Sequence, residues 1–265
     1  MRSEWMNAVV RVARDAGKAV LDIYRSPEAF EVIAKQDGSP LTQADLTAHQ
    51  IIVEGLKRLM PALPVLSEES SVVPWDQRKA WDRYWLVDPL DGTKEFIHRS
   101  DEFTVNIALI EDHRPVMGVV YAPALDVMYY AEQGRGAYKV EQGKVTQIRA
   151  NHEVPTRVRV VASRRHGNSD QLKKMLSRFE QYELINVGSS LKICLVAEGK
   201  ADIYPRLGPT SEWDTAAAHC VLSEAGGVLL RENNLTEIQY NTTESLLNPN
   251  FIAMSERMRA TYFSR

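Results

Sequence analysis

The chain has 265 residues, enough to bury a large core as one α/β unit or two domains and too many for a disulfide-stapled miniprotein. Hydrophobic residues at 44% and charged residues at 25% fit a soluble globular composition, and no apolar run reaches the roughly 18 residues of a membrane span. A formal charge of -3 with scattered basic residues argues against polymeric DNA or RNA as a partner, whereas a small phosphorylated ligand needs only a local basic pocket.

Met1-Arg2-Ser3-Glu4-Trp5 sets an acid and a Trp where a signal peptide carries basic and then apolar residues, so a cytoplasmic location is expected. Peripheral membrane association and a homodimer stay open. Residues 4–25 place Ala8, Val9, Val12, Ala16, Ala19, Val20 and Ile23 at helical spacing, which predicts an amphipathic opening helix. A loop with Lys35, Asp37, Gly38 and Pro40 leads to Thr42, an N-cap with Asp45 three residues on. The stripe Leu46, His49, Ile52, Val53, Leu56, Leu59 then predicts a helix over 42–60.

Short β-type runs at 64–67, 84–88, 104–111, 115–121, 127–132 and 137–140 predict an antiparallel meander. Gly134-Arg135-Gly136 is read as a hairpin turn, since no Walker pattern accompanies it. After a polar stretch at 142–156, strands at 158–162, 182–187, 202–205 and 227–231 alternate with helices at 169–178, 190–199 and 213–225, which indicates α/β layering. A boundary is expected near residue 150, between an α+β domain (1–150) with the antiparallel sheet and most candidate metal ligands, and an α/β domain (151–265) with substrate-binding residues and Asp214. Cys194 and Cys220 sit in apolar helical patterns and are read as buried reduced thiols. Asn234-Leu235-Thr236 and Asn241-Thr242-Thr243 match the glycosylation triplet, without chemical consequence where no export signal is present.

Candidate chemistry starts at Trp85-Leu86-Val87-Asp88-Pro89-Leu90-Asp91-Gly92-Thr93, an apolar strand ending in two acids. Burying an unpaired Asp88 would cost several kcal/mol, so a cation must be near. Val65-Leu66-Ser67 is a second apolar run ending in acids, Glu68 and Glu69, and two such ends can converge on a hard divalent ion such as Mg²⁺. The competing account is a helix N-terminus capped by Asp91 and Thr93, with Asp88 in a salt bridge. A third segment, Gly208-Pro209-Thr210-Ser211-Glu212-Trp213-Asp214-Thr215-Ala216-Ala217, starts an Ala-rich helix with another acid and shifts the balance toward a shared metal site.

Glu68-Glu69-Ser70, Asp88-Pro89-Leu90-Asp91-Gly92-Thr93 and Trp213-Asp214-Thr215-Ala216-Ala217 resemble, in order, the three signatures of the inositol monophosphatase superfamily. Asp37-Gly38-Ser39-Pro40-Leu41-Thr42-Gln43-Ala44-Asp45, Gly188-Ser189-Ser190-Leu191-Lys192, Ala201-Asp202-Ile203-Tyr204-Pro205-Arg206 and Leu246-Leu247-Asn248-Pro249-Asn250-Phe251 resemble its bisphosphate nucleotidase branch. The resemblance spans about residues 35 to 254. It implies a layered αβαβα sandwich of the inositol monophosphatase and sugar phosphatase type, and a phosphomonoesterase with two to three Mg²⁺ and inhibition by Li⁺. Glu68, Asp88, the Leu90 carbonyl, Asp91 and Asp214 would hold the metals; Asp45, Thr93 and Glu68 would activate water.

The implied substrate is adenosine 3',5'-bisphosphate, cleaved to AMP and phosphate, with its phosphosulfate analogue PAPS also accepted to give APS. Gly92 and Thr93 would meet the scissile phosphate through their N–H groups, and Lys192, Arg206 and Ser189 the second phosphate. Ser163, Arg164 and His166 match a Ser-Arg-x-His turn near the nucleotide. Glu69 is expected outside the metal site. The alternatives are an inositol or small-sugar phosphatase and, in another class, a non-catalytic phosphate-ligand sensor.

Overall fold

The computed structural model describes residues 2–26, 32–35, 40–162 and 170–263. Asp37, Gly38, Ser39, Ser163, Arg164, Arg165 and His166 therefore lie outside the described residues. The opening helix α1 (Arg2–Arg25) is followed by β1 (Val32–Ala34) and β2 (Pro40–Thr42), a small antiparallel pair. Then α2 (Gln43–Leu59) starts at Thr42, whose side chain and that of Asp45 form the expected capping box.

The buried face of α2 is Ala44, Ala48, Ile52, Gly55 and Leu56, while Leu46, placed on the apolar stripe by the sequence reading, is 39% exposed. Small residues carry that face because α1 lies against it: a Cβ on Gly55 would come 2.6 Å from Val12 Cγ2.

The first large sheet comprises β3 (Val65–Ser67), β4 (Arg83–Asp91), β5 (Thr104–Glu111), β6 (Arg114–Ala122), β7 (Val127–Glu132), β8 (Ala137–Glu141) and β9 (Lys144–Ile148), in that spatial order. Short helices α3 (Trp75–Arg78) and α4 (Thr93–Ile97) flank β4. The meander is antiparallel from β4 onward, but β3 pairs parallel with β4. The polar stretch after residue 142 also holds a strand the sequence hid. Gln142 and Gly143, both at positive φ, turn β8 directly into β9, and β9 is exposed along most of its length, so it lacks apolar alternation.

The second sheet is ordered β11-β10-β12-β14-β13, from β10 (Val158–Ala162), β11 (Tyr182–Asn186), β12 (Ile203–Arg206), β13 (Gly227–Arg231) and β14 (Phe251–Ser255). Helices α5 (Asp170–Leu176), α6 (Leu191–Ala197), α7 (Glu212–Glu224) and α8 (Glu256–Tyr262) complete it. The sequence reading stopped at residue 231 and so missed β14 and α8, although β14 is buried throughout and pairs on both sides.

Three cores hold five layers together, the middle one spanning two interfaces. One packs α1 and α2 on the first sheet, one packs α6 and α7 between the sheets, and one packs α5 and α8 on the outer face of the second. This is the expected αβαβα sandwich. The chain leaves the first sheet at Ile148 and enters the second at Val158, yet α6 and α7 share one core with both. Cys194 and Cys220 lie in that middle layer as buried free thiols. No helix among the described residues is long and apolar enough to cross a membrane.

The middle layer sets the distance between α7 and the first sheet. Gly118 in β6 lies directly beneath α7, where a Cβ would meet the Ala217 carbonyl oxygen at 2.3 Å and Cys220 Cβ at 2.9 Å. Because the obstacle is helix backbone, Gly118→Ala should destabilise the protein by about 1–3 kcal/mol. Chemical denaturation checks this, and an unchanged midpoint would contradict the packing described.

Candidate active site

Parallel pairing of β3 and β4 puts Ser67 beside Val87, and the Glu68 N–H donates to the Val87 carbonyl at 3.1 Å. Glu68 and Asp88 therefore emerge at the same end of the sheet. Pro89 has no N–H to continue the ladder, and the β4–β5 register shifts between Asp88 and Asp91. In that bulge the Leu90 N–H donates to Asp88 Oδ1 at 3.0 Å. Asp214 arrives in the first turn of α7, held by the Ser211 N–H at 3.0 Å. Oxygens of Glu68, Asp88 and Asp214 then lie within 4.8 Å of one another.

Burial pushes the Asp88 carboxyl well above the usual carboxylate range, and Glu68, Asp91 and Asp214 push it further. Asp214 is raised well above that range by burial and by Asp91 and Glu68. Asp91 is raised to about 6 by burial, against the opposing pull of Lys192 and the Ser190 N–H. Direct positive charge reaches this end of the sheet through Lys35, whose Nζ is 2.7 Å from Glu68 Oε1 and 2.5 Å from Glu69 Oε1. The largest charge effects on Asp88 come from the acids Glu68, Asp91 and Asp214. An all-oxygen set with uncompensated negative charge suits a hard divalent cation, and Mg²⁺ fits these donors.

The capping account fails on this geometry. Gly92, at φ 88, occupies the N-cap of α4 with no side-chain cap, and Asp88 has no ion-pair partner among the described residues. For Asp45, capping and a site role hold together. Its Oδ2 accepts from the Thr42 N–H (2.7 Å) and hydroxyl (2.6 Å), while Oδ1 faces the Thr93 hydroxyl at 3.2 Å. Thr93 Oγ1 is also 3.2 Å from the Leu90 carbonyl. A hydroxyl has one proton for these two acceptors. Burial raises the Asp45 carboxyl despite the hydrogen bonds from Thr42 and Thr93.

A cavity of about 200 Å³ opens beside Asp91 and Asp214, lined by Lys94, Ser189, Lys192, Tyr204 and Arg206 among others. Lys192 is buried, donates to the Ser189 carbonyl at 2.6 Å and acts on Asp91, so it is not held clear of the acids. Burial lowers its ammonium pKa, opposed by Asp91. Arg206 is fixed to the turn at 209–210 through the Pro209 carbonyl (2.7 Å) and the Thr210 hydroxyl. Gly188 lets the 187–190 loop approach, since a Cβ there would meet Glu95 Cγ at 2.6 Å and the Glu102 carbonyl at 2.9 Å.

The model of the inositol monophosphatase family matches residues 1–259. The chain belongs to that family. It is 50% identical over 246 residues, 93% of its length and 98% of the relative's, to the 3'(2'),5'-bisphosphate nucleotidase CysQ of Salmonella typhimurium strain LT2. The CysQ of Escherichia coli K12, also a 3'(2'),5'-bisphosphate nucleotidase, is 48% identical with the same coverage of both chains. Among solved structures, CysQ from Bacteroides thetaiotaomicron superposes with a TM-score of 0.84 at 40% identity, covering 96% of this chain and 98% of that one.

Of the family residues expected from the sequence, Asp45, Glu68, Asp88, Leu90, Asp91, Gly92, Thr93 and Asp214 meet at one end of the first sheet, and Ser189, Lys192 and Arg206 line the adjoining cavity. Ser163 and His166 fall outside the described residues. Glu69 is not among the three acids whose oxygens converge; its side chain, 6% exposed, shares Lys35 with Glu68. As a lysine in a polar loop, Lys35 carries no sequence signal for this pairing. Sequence reasoning also missed the support of the 187–190 loop, where Ser190 Oγ bonds Asn106 Oδ1 and Thr104 Oγ1, each at 2.9 Å. Its signal was present in β5, where polar residues stand two apart in an otherwise apolar strand.

The raised carboxyls fix the sign of a pH effect. Between the ordinary value of 3.8 and about 6, folded Asp91 retains a proton that the unfolded chain has lost; Asp88 and Asp214 extend that window upward. With chelator present, their contribution to stability should therefore decline as pH rises from 4 through 6 and beyond. Saturating Mg²⁺ should raise Tm most at the upper end of that range. Tm measured against pH with and without Mg²⁺ checks this; two parallel profiles would contradict it.

Proposed function

We propose that the chain is a Mg²⁺-dependent bisphosphate nucleotidase that hydrolyses the 3'-phosphate of adenosine 3',5'-bisphosphate to AMP and phosphate, and accepts the phosphosulfate analogue. The observation carrying this reading is the convergence of Glu68, Asp88 and Asp214 beside a cavity whose lining includes Lys94, Lys192 and Arg206. Likeness at 50% identity over nearly the full length of a relative named for that activity supports the substrate class. On this reading, Glu68, Asp88, the Leu90 carbonyl, Asp91 and Asp214 hold two to three Mg²⁺, and Li⁺ inhibits.

Bound Mg²⁺ supplies positive charge that acidifies water and offsets the charge on phosphoryl oxygens during in-line displacement. The chain's own residues place and deprotonate that water. When Thr93 gives its single proton to Asp45, its oxygen is free to accept one from water. Asp45 suits this role because burial makes its carboxylate a better base than one in solvent. Glu68 shares Lys35 with this carboxylate: the ammonium pairs with Glu68 and also acts on Asp45.

Across the cavity, Arg206 presents a planar fork suited to a phosphate group and Lys192 a point charge. Lys192 also acts on Asp91, so its removal affects turnover as well as substrate binding. The N–H groups of Gly92 and Thr93 are assigned to the scissile phosphate, with Ser189 on the second.

With Mg²⁺ and matched low substrate, phosphate release from adenosine 3',5'-bisphosphate should exceed that from inositol 1-phosphate; the opposite ranking would move the chain to the inositol phosphatases. Thr93→Ala should lower kcat by roughly 10²–10³-fold while Mg²⁺ binding persists. Turnover near the parent rate would remove Thr93 from the mechanism. Asp88→Asn should abolish measurable Mg²⁺ binding and turnover together while circular dichroism stays native, and an active mutant would reject the metal site.

A further inference from the structure

A strap at 240–250 crosses the start of α7 and is anchored at its far end by a buried arginine. Asn241 is fully buried at φ 52. Its Nδ2 donates to the Arg78 carbonyl at 2.6 Å, and Arg78 Nη1 donates back to its Oδ1 at 2.6 Å. Arg78 Nη1 further reaches the Thr243 carbonyl at 3.1 Å and Nη2 the Glu244 carbonyl. Arg78 ends α3, on the connection between the strands that deliver Glu68 and Asp88.

The other side of Asn241 faces α7. Its backbone N–H donates to both carboxylate oxygens of Glu212, at 3.0 and 2.9 Å. Farther along the strap, the Leu246 carbonyl accepts from the Glu212 N–H (2.8 Å), and Asn248 Nδ2 donates to the Ser211 carbonyl (2.9 Å). Ser211 is the residue whose N–H holds the Asp214 carboxylate. Hydrogen bonds and short backbone segments thus connect Arg78, on the connection between β3 and β4, through Asn241 and the strap to Ser211, the residue that orients Asp214.

Buried charge is a poor way to gain stability, because apolar packing of equal volume commonly serves as well or better. Its best-attested use is to fix one geometry among several. Partners of metal ligands act in that manner, and their loss weakens metal binding without touching the ion. We propose that Arg78 and Asn241 are positioning residues that hold Asp214 in register with Asp88 and thereby set the affinity of the site for Mg²⁺. This inference rests on the metal site proposed above.

Asn241→Gly tests it. Glycine adopts the left-handed backbone and keeps the N–H to Glu212, so the reciprocal contact with Arg78 is what disappears. Calorimetric titration with Mg²⁺ alone should show affinity reduced roughly 10-fold, with kcat at fixed Mg²⁺ falling by a similar factor. KM at saturating Mg²⁺ should stay within about twofold, since no substrate contact is lost.

Arg159→Lys serves as control. It disrupts the Arg159–Asp202 pair in the second sheet, where Nε and Nη2 lie 3.0 and 2.9 Å from the carboxylate, and should lower Tm without changing Mg²⁺ affinity. If N241G does not fold, R78K keeps the buried cation, loses the fork and carries the same expectations. Parent-like Mg²⁺ affinity and kcat in the folded variant, or an affinity loss matched by R159K, would overturn the positioning role while leaving the metal site intact. A parent chain that gives no Mg²⁺ isotherm would overturn both.

Discussion

Mutual repulsion among carboxylates that face one another between two sheets is the constraint on which the rest of the site depends. Oxygens of Glu68, Asp88 and Asp214 stand within 4.8 Å, and two unit charges at that separation repel by about 3 kcal/mol at an effective dielectric near 20. Against a typical net stability of about 5–15 kcal/mol, several such pairs cannot persist uncompensated. The chain can respond by retaining protons or by taking up cations. Raised carboxyls describe the first response and the all-oxygen donor set describes the second, so both follow from one arrangement.

That arrangement is maintained by layers distant in sequence. Asp88 belongs to a buried strand of the first sheet, whereas Asp214 belongs to a helix that packs between the two sheets. Their separation therefore depends on how closely α7 approaches β6, which the missing side chain at Gly118 permits. It depends equally on how the first turn of α7 is rotated, which Ser211, Glu212 and the strap control. A metal site assembled from rigid elements in this way needs little reorganisation when the ion enters.

The elements legible in the sequence were those with strong local signals. Thr42 and Asp45 announced a capped helix, and the apolar run ending at Asp88 announced a buried strand; both stand where expected. β9 was hidden because an exposed edge strand needs no apolar alternation, and the Gln142-Gly143 turn lacks the Asn or Asp that usually marks a tight hairpin. On α2, Ile52 and Leu56 of the expected stripe are buried and Leu46 is not, while the close approach of α1 at Gly55 depends on a residue the apolar pattern ignores. At the site, the acids could be read because burying them demands a reason. Lys35 could not, since a lysine in a polar loop gives no hint of its partner until the fold supplies one.

The positions of the cations add a direction to the site. Lys35 offsets part of the Glu68 charge, and Lys192 opposes Asp91 from the cavity, whose lining also holds Arg206, Lys94 and Glu95. The largest charge effects on Asp88 all come from acids. A divalent ion therefore gains most at Asp88, which forms no ion pair among the described residues. An anionic ligand gains most on the Lys192 side, where the cavity is open. An ester phosphate bound with one edge at the acids and its remaining charge toward Arg206 satisfies both preferences at once. The asymmetry of fixed charge thus orders the ligand across the site before any contact with its uncharged part is made.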